Sequence, residues 1–562
     1  MAAVFSVSLV PAAAPQAPAW ALTDAAYPPG YPFRHGGWAF AEGCTREGFE
    51  TWLCIRNQTW PNRYTPADVK CKLEVWYITN AGLLDKKYYD LPLGARFTIN
   101  VNAEIGPGHD VSFLLFLYLN KLGTGGIVVE RPMYFAYAGR GGHELWQGGH
   151  VAYGFPCRRD ENSLNKDPKI SAPGDEICGK RFYFAEGTTR QDSERHFDEW
   201  ICVLNPEPEP AKLTFNYMIE GEGLKTVTET LPPQHRGTWY VADHIGKNKD
   251  VSLELLSDVG VVAERPMYFK YRSVNPARPG RAWYGGHVIM GLCPTWTNYD
   301  EEYSCAAFPF APTTYIPGMG WGDTWLCLQN PHDFPINVEI TAVTAGGIMG
   351  LVKTLPPKRR TTFYYPEILQ ELGASSPGAG GFVVRLHQES HPNGVQPYAF
   401  FMERPVYMEF DSLPAAGQTP SGGTTGRGRY EARGGMAEGC TRPGFKCWLA
   451  MNKYVTKFNV KNPEILGERW DDPTKQDEVW FGWECIFPAD SSPDPHGPCV
   501  QRTISIAQTK RAGISRWWET YLWLANNDFP DTDLTIRSNR FTERVMVFLY
   551  RGKWAGMHTA MP

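Results

Sequence analysis

Val128-Val129-Glu130-Arg131-Pro132-Met133-Tyr134-Phe135 decides how this chain is read. The stretch returns as Val262-Ala263-Glu264-Arg265-Pro266-Met267-Tyr268-Phe269, and again as Phe401-Met402-Glu403-Arg404-Pro405-Val406-Tyr407-Met408. A worn copy, Glu543-Arg544-Val545-Met546-Val547-Phe548, closes the chain. The copies recur about every 135–140 residues, a domain-sized interval, which means tandem domains and not a short-period solenoid. A chain of 562 residues has room for about four domains, one per copy.

Working outward, the first copy is preceded by Phe40-Ala41-Glu42-Gly43-Cys44-Thr45, Trp52-Leu53-Cys54 and Asp110-Val111-Ser112, and followed by Gly148-Gly149-His150. The second unit repeats the plan with Phe184-Ala185-Glu186-Gly187-Thr188-Thr189, Trp200-Ile201-Cys202, Asn205-Pro206, Asp250-Val251-Ser252 and Gly285-Gly286-His287. The third keeps Trp325-Leu326-Cys327 and Asn330-Pro331, but has Phe310-Ala311-Pro312-Thr313 in place of the opening motif and no Gly-Gly-His. The fourth restarts at Ala437-Glu438-Gly439-Cys440-Thr441, carries an insertion around 462–477 and ends Trp554-Ala555-Gly556-Met557-His558. Short apolar runs with period-two alternation, set apart by Gly, Pro and Asn, are strands. About seven of them per unit predict an all-β chain of four tandem Ig-like β-sandwiches. The expected boundaries are an N-terminal segment at 1–37 and repeat 1 at 38–156. Repeat 2 with its joint takes 157–292, repeat 3 with its joint 293–416, a Gly/Ser/Thr-rich flexible linker 417–435, and a divergent repeat 4 436–562.

The totals narrow the function classes. A net charge of −5 and a pI near 6.3 argue against a nucleic-acid binder. There is no apolar stretch long enough for a transmembrane helix. No C-x-x-C, H-E-x-x-H or G-x-S-x-G occurs, so the expectation is no enzyme, no cofactor and no metal. Thirteen cysteines suit an oxidising compartment. Residues 1–21, small and apolar and ending Ala19-Trp20-Ala21, read as a secretory signal without its charged start. The rival reading is an ordered arm, with Val4, Phe5, Val7 and Leu9 on a strand donated to a neighbour.

This order of motifs, F-A-E-G-T-T, W-L-x-L-N-P, D-V-S, V-V-E-R-P-M-Y-F and G-G-H, resembles a repeat of secreted and cell-surface proteins of Gram-positive and related environmental bacteria. It covers most of 38–412 well and 436–562 loosely. The resemblance implies an extracellular array of β-domains, and carries no established activity.

Arg131, Arg265, Arg404 and Arg544 sit within apolar strands and need partners, because an unpaired buried guanidinium is very costly. The opening glutamates Glu42, Glu186 and Glu438 are candidates for structural ion pairs, and so are Asp110 and Asp250. A ligand pocket built on these arginines is the rival reading. The third unit lacks both kinds of acid yet keeps Arg404. It also lacks the closing His, so the opening Glu and His150, His287 or His558 are expected to meet. The Pro after the first three arginines has no N–H to give, which marks an edge strand or a bulge, and a lateral contact surface if an edge.

Trp52, Trp200, Trp325 and Trp448 read as core anchors; Trp517 and Trp518 are better placed for a partner. Candidate disulfides are Cys157–Cys178 and Cys293–Cys305, bracing the joints, with Cys54–Cys71 and Cys485–Cys499. Cys202 and Cys327 share the slot of Cys54 and read as buried thiols. Cys44 and Cys440 are candidates for a bond between chains, and Asn57 begins a glycosylation sequon.

The expectation from these features is a non-enzymatic extracellular structural protein, secreted or at the bacterial surface, with itself as partner. It would be the subunit of a filament, sheath or surface layer growing by head-to-tail contact or strand addition. The alternative is an adhesin or carbohydrate-binding array facing cell-surface glycans.

Overall fold

The computed structural model describes residues 28–59, 65–123, 125–140, 145–157, 179–293, 305–344, 347–374, 379–387, 400–411, 421–427, 434–452, 485–488, 500–501, 520–524, 531, 533–538, 541–551 and 554–560. Within them the chain is all-β, built of antiparallel sheets. Among the described residues no helix is long and apolar enough to cross a membrane.

Repeat 1 comprises β1 (Phe33–Phe40), β2 (Phe49–Asn57), β3 (Cys71–Thr79), β4 (Gly82–Leu91), β5 (Arg96–Asn100), α1 (Val101–Ile105), β6 (Val111–Leu119), β7 (Ile127–Tyr137), β8 (Trp146–Tyr153) and β9 (Phe155–Cys157). One sheet runs β4-β3-β6-β1-β9 and the other β5-β2-β7-β8. On β2, Leu53 and Ile55 join Leu73, Val75, Phe113, Leu115 and Val129 in one buried cluster between the sheets. Trp52 and Cys54 take the alternate positions and join other clusters, as period-two alternation requires. β6 is buried along its whole length, because its second face, with Leu114, Phe116 and Tyr118, packs into a cluster shared with Phe182 and Phe184 of repeat 2.

The plan returns three times. In repeat 2 a single strand, Val251–Arg272, does what β6 and β7 do in repeat 1, so its strands join into one seven-stranded sheet. Repeat 3 has sheets of four and five strands, and repeat 4 two of four. Asn57 braces the end of β2. Its Nδ2 donates to the Pro92 carbonyl at 3.0 Å, and its Oδ1 accepts from the Thr59 N–H at 3.0 Å. Asn205 and Asn330 do the same in repeats 2 and 3. Asn57 is therefore a buried structural amide with its nitrogen occupied, and not an accessible glycan acceptor.

The strand carrying Arg-Pro is not an edge; it is paired on both sides in every repeat. The missing Pro N–H appears instead as a gap in one ladder. β2 pairs Thr51 with Met133 and then Cys54 with Glu130, passing over Arg131 and Pro132. Repeats 2 and 3 skip the same positions. Repeat 4 has Val545 in place of Pro, and there the ladder is continuous. The expected lateral contact surface is thus covered by each repeat's own strands.

The closing strands meet at the centre. β8, Ala282–Met290, Ser421–Arg427 and Trp554–Ala560 pack against one another in a closed cycle, one strand from each repeat. Ser421–Arg427 lies inside the segment read as a linker, so that reading is corrected. Its Gly422-Gly423-Thr424 opposes Met408, Tyr407 and Val406, the register that Gly285-Gly286-His287 takes against Phe269, Tyr268 and Met267. The third repeat thus keeps Gly-Gly and has Thr where the others have His. The glycines let backbones touch: a Cβ on Gly148 would lie 3.3 Å from the Gly285 Cα, and one on Gly556 3.0 Å from the Gly148 Cα. Neither neighbour has a side chain to move aside. Gly148→Val is therefore expected to overfill the centre and cost about 1–3 kcal/mol. Urea unfolding of the full chain measures it, and an unchanged midpoint would refute the close axial packing.

Candidate functional site

The four buried arginines define the site. All are fully enclosed. Arg131 Nη2 donates to Glu42 Oε2 of its own repeat at 2.8 Å and to Glu264 Oε2 of repeat 2 at 3.3 Å. Arg265 Nη2 donates to Glu186 at 3.0 Å and to Glu403 of repeat 3 at 2.8 Å. Arg404 donates through Nη1 and Nη2 to Glu543 of repeat 4, at 2.6 Å each. Arg544 donates to Glu438 at 3.0 Å and to Glu130 of repeat 1 at 2.9 Å. The second acid is in every case the Glu that precedes Arg in the next repeat, and the fourth repeat returns to the first. The ring is closed.

Three of these four carboxylates are also held by the backbone across the seam. Glu264 accepts from the Glu42 N–H at 2.8 Å, Glu403 from the Ala185 N–H at 2.8 Å, and Glu130 from the Glu438 N–H at 2.6 Å. Burial pushes the carboxyls of Glu264 and Glu403 up to about 7, against the pull of Arg131 and Arg265. The closing histidines complete the set. His150, His287 and His558 bring Nε2 to 3.8, 3.4 and 3.6 Å from Oε1 of Glu42, Glu186 and Glu438. Burial and the Arg544 guanidinium hold His558 down at about 3, so it stays neutral. A tyrosine of the next repeat reaches the same Glu: Tyr268 to Glu42 at 3.3 Å, Tyr407 to Glu186 at 3.4 Å and Tyr134 to Glu438 at 3.5 Å.

Two further latches were not found from the sequence. Cys54, Cys202 and Cys327 each accept a hydrogen bond at 3.3 Å from a buried arginine, Arg96, Arg236 and Arg360. The same arginines reach back across the seam to the opening loop of the preceding repeat. Arg96 donates to the Gly439 carbonyl at 2.9 Å, Arg236 to the Ala41 carbonyl at 3.1 Å, and Arg360 to the Gly187 carbonyl. In the second latch a tyrosine hydroxyl donates to an acid two residues before the repeat's Trp. Tyr137 bonds Asp198 at 2.9 Å, Tyr271 bonds Asp323 at 3.0 Å, and Tyr550 bonds Glu50 at 2.7 Å. Part of the signal was available: the cysteine and the acid recur two residues either side of Trp, and the tyrosine six residues after the ring arginine, whereas Arg96, Arg236 and Arg360 keep no fixed spacing.

Among the described residues, the seam between repeats 3 and 4 keeps only Arg404–Glu543 of these polar sets. Pro312 replaces the opening Glu, and Val547 stands where the tyrosine reaches it. Thr424 takes the register position of His, while Ala450 and Thr520 take those of Cys and Arg. Phe410 and Lys446 replace the tyrosine and its acid. Phe310, Val406, Met408 and Phe410 pack there against Trp448, Val545 and Met557. Partners are lost together because a lone survivor would be a buried unpaired group, whereas replacing a whole buried set by apolar residues costs little.

Several expectations are corrected. Asp110 and Asp250 pair with Arg46 and Arg190 and not with the ring arginines. Cys54 and Cys71 are buried free thiols on different sheets: Cys71 faces the sandwich core and Cys54 the seam. Cys44 and Cys440 are buried within the chain, burial pushing both thiols up to about 11, so neither is presented to a second molecule. Trp52, Trp200 and Trp325 lie half-buried at the seams and not in the sandwich cores. Cys293 is buried beside Gly179. The side chains of Cys157, Cys305 and Cys485, and Val4, Phe5, Val7, Leu9, Cys178, Cys499, Trp517 and Trp518 altogether, lie outside what is described. Among the described residues no group of three or more His, Cys, Asp and Glu could hold a metal ion.

No protein-family model matches the chain, and no curated protein does. Among solved structures, a Thermotoga maritima protein designated 1070 aligns at 19% identity over 21% of this chain and 95% of its own, with a TM-score of 0.17. The Anabaena sensory rhodopsin transducer aligns at 18% identity over 16% of this chain and 89% of its own, with a TM-score of 0.15. A Streptomyces avermitilis α-L-rhamnosidase aligns at 9% identity over 75% of this chain and 47% of its own, with a TM-score of 0.10. At these scores none bears on what the protein does.

Removing one ring arginine leaves two carboxylates buried without their cation. Arg265→Met is expected to cost about 3–5 kcal/mol in urea unfolding. Adding Glu186→Gln and Glu403→Gln is expected to restore most of that. Equal losses in the single and triple variants would show that the seam is not held by charge.

Proposed function

We propose that the chain works as a discrete, non-catalytic ring at the cell exterior, a preassembled four-repeat platform that presents its rim to a partner as an adhesin or carbohydrate-binding array does. The observation that carries this reading is the bond from Arg544 to Glu130. A head-to-tail contact either grows a filament or closes, and one that closes leaves no end to extend. The surfaces from which head-to-tail growth was expected are spent inside one chain. Cys44 and Cys440 are spent with them.

The rim of repeat 3 favours a glycan as the partner. Tyr315, 40% exposed, lies with its ring centroid 5.4 Å from that of Trp321. The Arg278 guanidinium sits 4.5 Å from the Trp321 ring centroid, and the Tyr315 hydroxyl donates to Asp411 at 2.9 Å. A partly exposed aromatic pair edged by a cation and a carboxylate supplies a face for a sugar ring and hydrogen bonds for its hydroxyls.

Light scattering combined with a polysaccharide-retention column tests the reading. The full chain is expected to run at its single-chain mass of 63.2 kDa at every concentration, and to be retained in a way that Tyr315→Ala weakens. Mass that climbs with concentration would return the protein to the filament class. A monomer that no polysaccharide retains would remove the glycan.

A further inference from the structure

Counting the ring arginines, the arginines that latch the opening loops and the acids around them, three of the seams balance, and the fourth holds a carboxyl too many. Between repeats 1 and 2, buried Arg131 and Arg236 face Glu42 and Glu264, while Asp110 has Arg46. Between repeats 4 and 1, Arg544 and Arg96 face Glu438 and Glu130, while Asp533 has Arg442. Between repeats 3 and 4, the loss of one Arg and one Glu leaves Arg404 with Glu543. Between repeats 2 and 3, Arg265 and Arg360 face Glu186 and Glu403, and Asp250 has Arg190. That set already balances, yet Glu199 is buried in the same place with 2% of its surface exposed.

The repeat shows what belongs at this position. Thr51 is the counterpart of Glu199, opposite Met133 as Glu199 is opposite Met267. Thr51 Oγ1 accepts from the Cys44 N–H at 3.1 Å and donates to the Cys44 carbonyl at 2.6 Å. Thr324 in repeat 3 donates to the Pro312 carbonyl at 2.6 Å. Repeats 1 and 3 thus place a donating hydroxyl here, and repeat 4 places Cys447, opposite Met546. Glu199 accepts from the Thr188 N–H, the counterpart of Cys44, and its Oε2 is buried with no partner. Only a protonated carboxyl has a donor, as those hydroxyls do.

We propose that Glu199 is a proton-operated catch, neutral while the seam between repeats 2 and 3 is shut, and ionised when that seam loosens. Its surroundings support this. Facing it are Arg265 on the neighbouring strand, Glu186 and Thr188 on the opening loop, and Arg360 from repeat 3, and Arg265 also holds Glu403 of repeat 3. Tyr217 on the strand Ala211–Ile219 feels it too, and His287, Tyr407 and Cys327 surround Glu186. Burial and the Glu186 charge outweigh Arg265 and Arg360 and push Glu199 up to about 8. A carboxyl raised in the closed state favours closure below its ordinary range and loses that contribution as pH rises to about 8. The seam is therefore tightest in mild acid and loosest in mild alkali, whatever the ring binds.

The test is the pH dependence of the unfolding equilibrium of the full chain between pH 6 and 8. Glu199 alone should weaken the folded state about 50-fold across that window. Glu199→Thr, the residue found in repeats 1 and 3, and Glu199→Gln, which keeps the shape with no titrating proton, are both expected to lose that share. The fall contributed by Glu264 and Glu403 should remain. Wild type and either folded variant sharing the same pH dependence would overturn the proposal. A flattened profile in the variants would support it.

Discussion

A guanidinium cut off from water must be met by carboxylates, and the fold supplies the second of them from another repeat. Each ring arginine sits within a run of buried residues on its strand, where no solvent can share its charge. Its own opening loop offers one glutamate in three repeats out of four, and the following repeat offers the other in all four. The ion pairs contribute little net stability once desolvation is counted, but breaking one is costly. Their main effect is to specify which repeat stands beside which. Four such contacts, each turning the same way, bring the last repeat back to the first.

The exceptional seam explains the others. Repeat 3 lost the glutamate, and repeat 4, which faces it, lost the tyrosine that would reach that glutamate and the Cys–Arg latch that would hold its loop. Repeat 3 also has Phe410 where repeat 4 has Lys446 in place of the acid. Losses distributed over two repeats, yet confined to one seam, are what direct contact between those repeats produces. The same geometry joins unlike surfaces everywhere else, so four-fold repetition of the chain becomes approximate four-fold symmetry of the molecule.

Much of the fold was legible in the sequence. The all-β class followed from period-two runs set apart by turn residues. The meeting of the opening Glu with the closing His could be argued from their joint absence in repeat 3. Closure could not, because the decisive partner of Arg544 is Glu130, 414 residues away, which sequence spacing assigns to a different unit. The face of each strand was the other blind spot. Cys54 and Trp52 lie on apolar strands whose two faces are both covered, so alternation could not say which face looked into the sandwich and which into the seam. The strand at Ser421–Arg427 was hidden by its composition: Ser-Gly-Gly-Thr-Thr-Gly looks like a linker, and at the crowded centre small residues are what a strand needs.

The most direct test of closure is small-angle scattering from the full chain in dilute solution. A closed ring predicts a radius of gyration close to the compact-particle value, about 24 Å for a chain of this length, widened only modestly by inserted segments. The same four repeats strung head to tail as a rod, each roughly a 14 Å globule, would give roughly 40 Å and a scattering curve with the linear decay of an elongated body. The first result is the one the buried Arg544–Glu130 pair requires; the second would mean that repeats 4 and 1 do not meet.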